Sequence, residues 1–233
     1  MKLQELIPKV TKKRKPIKPI LEDNEQFVKE CVIGLTKFIS IRTNGAKQFT
    51  IQDDRMNDMY FQIFTYLNRH EELFKHKAVT VADKWDLAKG LFLIGAYGSG
   101  KTVLLDYIYN KRNVLGVPGN HCTAFDLSLH WVNDPAKYDQ YVQSDKALFI
   151  DEIGDEPKKT LHFGNQENVV YRALKTKLDR IEKQSGEKTK LFATSNLSKA
   201  EFIESYGDRV WDRIKNNFNV VIFQADKHKS HRG

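Results

Sequence analysis

Residues 91–102 read LFLIGAYGSGKT, four apolar side chains running into Gly95-Ala96-Tyr97-Gly98-Ser99-Gly100-Lys101-Thr102. The octapeptide matches G-x-x-x-x-G-K-[ST] in full. It stands where a short apolar run gives way to a helix-forming segment, Thr102 to Asn110. Glycines in such a loop let backbone N–H groups turn inward without a Cβ clash. The following helix adds partial positive charge at its N-terminus. The stretch therefore predicts a strand, a phosphate-binding loop and a helix. Lys101 reaches the β- and γ-phosphates, and the Thr102 hydroxyl serves a magnesium ion. Gly95, Ala96, Tyr97, Gly98, Ser99 and Gly100 form the cradle, with the Tyr97 ring either outside it or over the nucleotide.

A strand–loop–helix of this kind needs neighbours, and the chain supplies them. Ala147-Leu148-Phe149-Ile150 is a second buried run, and it ends in Asp151-Glu152. Carboxylates at the C-terminal tip of a parallel strand lie where ligands bind in such sheets. Asp151 suits a magnesium ion held through its water shell. Glu152 suits a base that orients and deprotonates an attacking water. Leu191-Phe192-Ala193-Thr194-Ser195-Asn196 repeats the pattern. Its Asn196 amide can hydrogen-bond a γ-phosphate or a water without adding charge. In Gly207-Asp208-Arg209-Val210-Trp211-Asp212-Arg213-Ile214, two arginines four apart share a helix face. They read either as surface ion-pair partners of Asp208 and Asp212 or as an arginine finger for a neighbouring subunit.

Strands and helices alternate from about residue 88: strands at 91–94, 121–127, 147–150, 190–194 and 219–224, helices at 102–110, 129–143, 168–183 and 199–216. That order predicts a parallel sheet covered on both faces. Before it, Phe27, Cys31, Leu35 and Phe38 fall on one helical face, and Met56, Met59, Tyr60, Ile63, Phe64 and Leu67 on another. Residues 25–87 thus form a small helical extension, and 88–233 the α/β core.

The chain has 233 residues and a net charge of +8, unevenly spread. Residues 1–20 carry +6 and 221–233 carry +2, leaving the body near neutral. With Pro8, Pro16 and Pro19 among the lysines, residues 1–24 read as a basic, extended arm. It is either a contact for nucleic-acid phosphates or an acidic protein, or simply a solvated tail. The apolar runs are too short to span a bilayer, and the N-terminus lacks the apolar stretch of a signal peptide. A cytoplasmic protein with no membrane role is expected. Cys31 and Cys122 read as buried, reduced thiols, and His121, His130 and His162 form no ligand cluster. Trp131 and Trp211 read as core side chains, and Lys158 and Lys159 either as surface lysines or as channel-facing groups of an oligomer.

GAYGSGKT, ALFIDE, FATSN and GDRVWDRI, in this order, resemble an AAA+ P-loop ATPase of the DnaC/DnaI helicase-loader and IstB-like branch. FGNQENVVYRAL is similar to loader-type sequences as well. The resemblance spans about 88–232. It implies a five-stranded sheet in the order 5-1-4-3-2, with the Asn196 strand between the other two motif strands. It implies that Lys101 and Thr102 are the Walker A pair, Asp151 and Glu152 the Walker B pair, and Asn196 sensor 1. Arg213 best matches the finger, with Arg209 as runner-up. Few residues follow the last strand, so no helical lid is expected, and Arg232 in Ser230-His231-Arg232 is a faint substitute for the lid's arginine. The implied ligands are ATP and Mg²⁺, with slow, assembly-dependent hydrolysis. The implied partners are a hexameric replicative helicase, gripped by the N-terminal extension, single-stranded DNA, and further copies of the chain. An ATP-dependent DNA-binding helper of transposition and a nucleotide-gated scaffold with little turnover remain alternatives.

Overall fold

The computed structural model describes residues 18–47, 49–51, 53–162, 165–183 and 190–223. Most of the basic arm, residues 1–17, and the closing Ser230-His231-Arg232 lie outside the described residues. The central sheet is built from β1 (Gly90–Gly95), β2 (Gly119–Thr123), β3 (Ala147–Ile153), β6 (Leu191–Ser195) and β7 (Phe218–Phe223). A separate antiparallel hairpin joins β4 (Thr160–His162) to β5 (Asn165–Glu167). The sheet runs β2-β3-β6-β1-β7, and every pair of neighbours in it is parallel. Counting its strands in chain order, this is the expected 5-1-4-3-2, with the Asn196 strand in the centre.

Both faces are covered, which is why the three central strands open as unbroken apolar runs rather than alternating, with polar residues only toward the C-terminal ends of β3 and β6. On one face Phe92, Ile94, Leu148, Ile150, Leu191 and Ala193 pack beneath five helices. These are α4 (Ala124–Asn133), α5 (Pro135–Val142), α6 (Val169–Lys183), α7 (Lys199–Tyr206) and α8 (Asp208–Asn217). On the other face Leu91, Leu93, Phe149, Phe192, Val221 and Phe223 meet α1 (Asn24–Arg42), α2 (Asp54–Asn68) and α3 (Lys101–Asn110). The rings of Phe149 and Phe192 stack across β3 and β6, 4.7 Å apart and 7° from parallel.

The N-terminal helices follow their sequence pattern. Asp23 caps α1 and Asp53 caps α2, each side chain accepting from a first-turn N–H. Phe27, Cys31 and Leu35 of α1 are buried, as are Tyr60, Ile63, Phe64 and Leu67 of α2. They share one cluster with the sheet and α3, so the extension has no core of its own. At the end of α1, Arg42 donates to the carboxylate of Asp106 on α3, which also lies 3.4 Å from His121 of β2. Both cysteines are buried and free. Trp211 is buried and Trp131 packs against the core. No described helix is long and apolar enough to cross a membrane.

Three local expectations fail for definable reasons. The second strand ends at Thr123 instead of reaching Leu127, because Thr123 and Asp126 form a capping box that starts α4. The helix expected over 129–143 is two helices, broken where Asp134 caps and Pro135 opens α5. The helix expected over 199–216 is divided at Gly207, whose φ of 87° and ψ of 155° fit neither helix.

Candidate nucleotide site

β1 ends at Gly95, where φ is 155° and a Cβ would stand 1.9 Å from the Phe223 carbonyl oxygen of β7. Only glycine lets the two backbones approach this closely. Gly98 and Gly100 then take left-handed φ values of 76° and 89° and fold the loop back on itself. Gly100 is the N-cap of α3, with no side-chain hydrogen bond to cap the first turn. By contrast α4 and α7 carry full capping boxes. The loop thus presents α3's first-turn N–H groups to an anion, the feature a phosphate cradle requires. Lys101 is only 4% exposed and lies across the cradle. Its ammonium donates to the carbonyls of Gly95 (2.7 Å) and Ala96 (2.8 Å) and to Ser99 Oγ (3.2 Å). Burial lowers its pKa to about 8, although Asp151, Glu152 and Asp155 pull the other way.

Because β3, β6 and β1 are adjacent and parallel, their C-terminal tips converge beside this loop. Asp151, 4% exposed, accepts hydrogen bonds at Oδ1 from Thr102 Oγ1 (3.2 Å) and from Thr194 Oγ1. Burial raises its pKa, and the Thr194 and Thr102 hydrogen bonds oppose the rise. A buried carboxylate met by hydroxyls rather than by a protein cation is a hard oxygen donor set, and it fits Mg²⁺ with Thr102 and Asp151 as holders. The β3–β6 register shifts between Ile150 and Ile153. In that bulge Glu152 has a φ of 58°, uncommon for a non-glycine residue. Its N–H donates to Thr194 Oγ1 at 2.9 Å. The hydroxyl of Thr194 therefore fixes both acids at once. Sequence reasoning passed over Thr194; its signal is a polar residue inside an otherwise apolar buried strand.

Tyr97 projects from the loop, 57% exposed, and its hydroxyl donates to Asp155 Oδ1 at 2.7 Å. The Asn196 side chain lies beside the same phenol and opposes the rise in its pKa that Asp155 causes. Asp155, also passed over, belongs to the turn after β3, where its N–H donates to the Glu152 carbonyl (3.1 Å). Lys101, Thr102, Asp151, Glu152, Asn196 and Tyr97 are thus brought to one edge of the sheet. The two arginines are not part of that cluster. Arg213 bonds within the chain to Asp179 (2.7 Å) and Glu182 (3.0 Å) of α6, and Arg209 is exposed one turn earlier on α8. Arg232 lies outside the described residues. Among the described residues no cluster of three or more His, Cys, Asp or Glu side chains could hold a metal on its own.

The sheet order, the glycine loop and the acidic strand tip place the fold in the P-loop class, with the AAA+ strand order. Within that class the fold is similar to the solved structure of DnaI, at a TM-score of 0.51 and 18% identity. The similarity covers 79% of this chain and 88% of that one. The DnaC helicase loader gives a TM-score of 0.48 at 18% identity, covering 75% of this chain and 93% of that one. AMPPCP-bound DnaA from Aquifex aeolicus gives 0.46 at 17% identity, covering 78% and 50%. No protein-family model matches the chain, and no curated protein matches it in sequence.

Proposed function

We propose that this chain is an ATP-binding and slowly hydrolysing AAA+ ATPase of DNA replication, acting as a DnaC-like loader of a hexameric helicase onto single-stranded DNA. The observation that carries the ATPase part is the meeting of Lys101, Thr102, Asp151 and Thr194 at the mouth of an uncapped helix. Lys101 exchanges the Gly95 and Ala96 carbonyls for phosphate oxygens, while the loop's N–H groups hold the remaining ones. Thr102 and Asp151 would hold Mg²⁺, which would supply positive charge against the triphosphate. Glu152 accepts the proton of the attacking water, and Asn196 orients that water or the γ-phosphate. A neighbouring copy contributes an arginine. Arg209 is the exposed member of the pair, whereas Arg213 would first have to leave Asp179 and Glu182.

The loader part rests on the sequence resemblance of the four motifs and on an extension that packs directly on the phosphate-loop helix. Two measurements test the proposal. Binding of a fluorescent ATP analogue and phosphate release are compared for wild type, Lys101→Ala and Glu152→Gln. Lys101→Ala is expected to lose binding, and Glu152→Gln to bind but not turn over. Co-purification with a DnaB-type helicase in the presence of ATP and single-stranded DNA tests the partner; no complex would remove the loader reading while leaving the ATPase one.

A further inference from the structure

We propose that Tyr97 is a positioning residue for hydrolysis, tying the phosphate loop to the tips of β3 and β6 so that Glu152 and Asn196 face the same phosphate. The inference rests on the ATPase reading above and deepens it.

The two strand tips already behave as one body. Ser195 Oγ donates to the Ile153 carbonyl at 2.6 Å, and the Leu197 N–H donates back to Ser195 Oγ at 3.1 Å. A Cβ on Gly154, where φ is 110°, would lie 2.6 Å from Leu197 Cγ, so the turn after β3 sits hard against the residues after β6. On the interior side this body meets the phosphate-loop helix through Thr102 and Asp151. On the solvent side it meets the loop through the Tyr97 phenol. A phenol can donate one hydrogen bond while accepting others. Here the oxygen donates to Asp155, with Asn196 beside it. Asp155 passes the constraint on, because its N–H closes the turn on the Glu152 carbonyl. The ring itself is 57% exposed, so packing does not account for an aromatic at this position. Its hydroxyl does, by joining the two halves of the site across its mouth.

The test uses the full chain and separates turnover from binding. Tyr97→Phe keeps the ring and removes the hydroxyl; Asp155→Ala removes the acceptor. Each is expected to lower kcat for phosphate release about tenfold, since small misplacements of catalytic groups cost rate steeply. The affinity for a fluorescent ATP analogue should stay within about twofold, as expected when only transition-state geometry is lost. The double variant should be no slower than the slower single one, because both break one link. A Tyr97→Phe protein with wild-type kcat overturns the proposal. So does a loss that appears wholly as weaker binding, or a double variant whose losses multiply. Wild-type protein that neither binds nor hydrolyses ATP overturns this inference together with the ATPase reading. Active wild type with an indifferent Tyr97→Phe overturns this inference alone.

Discussion

Lys101 is held by carbonyl oxygens in a buried position that disfavours its charge, with a pKa of about 8 against an ordinary 10.5. A triphosphate stabilises the ammonium and raises that value. Below about pH 8 the lysine is charged in both free and bound protein, so affinity is flat. Above it the free protein has lost the proton and must regain it on binding. Affinity for ATP should therefore fall as pH rises past 8, by up to about tenfold per unit. Titrations of a fluorescent ATP analogue from pH 7 to 9.5 check this; a flat profile would contradict it. Thr194 gives a second prediction at this scale. Thr194→Val removes both the donor to Asp151 and the acceptor of the Glu152 N–H. Asp151 keeps only Thr102 and the Glu152 N–H loses its acceptor, a loss of about 1–3 kcal/mol measurable by urea denaturation, and phosphate release should fall with it. The loop glycines, Lys101, Thr102 and the acid pair were legible because each motif carries its own chemistry at a fixed spacing. Thr194 and Asp155 were not, since their partners come together only through the β3 bulge and the turn after it.

Secondary structure was legible in proportion to how completely each element is buried. β1, β3 and β6 each open on an unbroken apolar run, and burial on two faces leaves little else for those runs to be. β2 reads GNHCT, half polar at the sheet's edge, and its end is decided by a capping box rather than by hydrophobicity. The β4–β5 hairpin has strands of three residues, too short for a periodic pattern. At this scale the stacked pair of Phe149 and Phe192 is the sharpest stability probe. Phe149→Ala deletes a fully buried ring between β3, β6 and α3, and should cost about 3–5 kcal/mol in unfolding free energy. The α6–α8 contact predicts the opposite kind of outcome. The Asp179 and Glu182 carboxylates are roughly half exposed, so Arg213→Ala should change stability by no more than about 1 kcal/mol. A much larger loss of ATPase activity in Arg213→Ala than in Arg209→Ala would assign the finger to Arg213; the reverse order would assign it to Arg209.

The sequence divides at residue 87 into an extension and a core, yet packing makes no such division. α1 and α2 join α3 in one cluster on the Leu91, Leu93, Phe149 and Phe223 face, Tyr60 of α2 packing edge-on to Phe223. A fragment beginning at residue 88 is expected to aggregate or fail to fold, whereas the full chain is expected to unfold in one transition; expression and calorimetry of both check this. The same arrangement reaches the phosphate loop, since the Tyr60 hydroxyl of α2 lies 3.7 Å from where a Cβ on Gly100 would stand, and Arg42 of α1 grips Asp106 of α3. Under the proposed function, a partner that seizes the first two helices handles the floor of the candidate nucleotide pocket. Thermodynamic reciprocity then fixes the size of the traffic in both directions: a factor by which occupancy of the pocket strengthens the grip is the factor by which the grip strengthens occupancy.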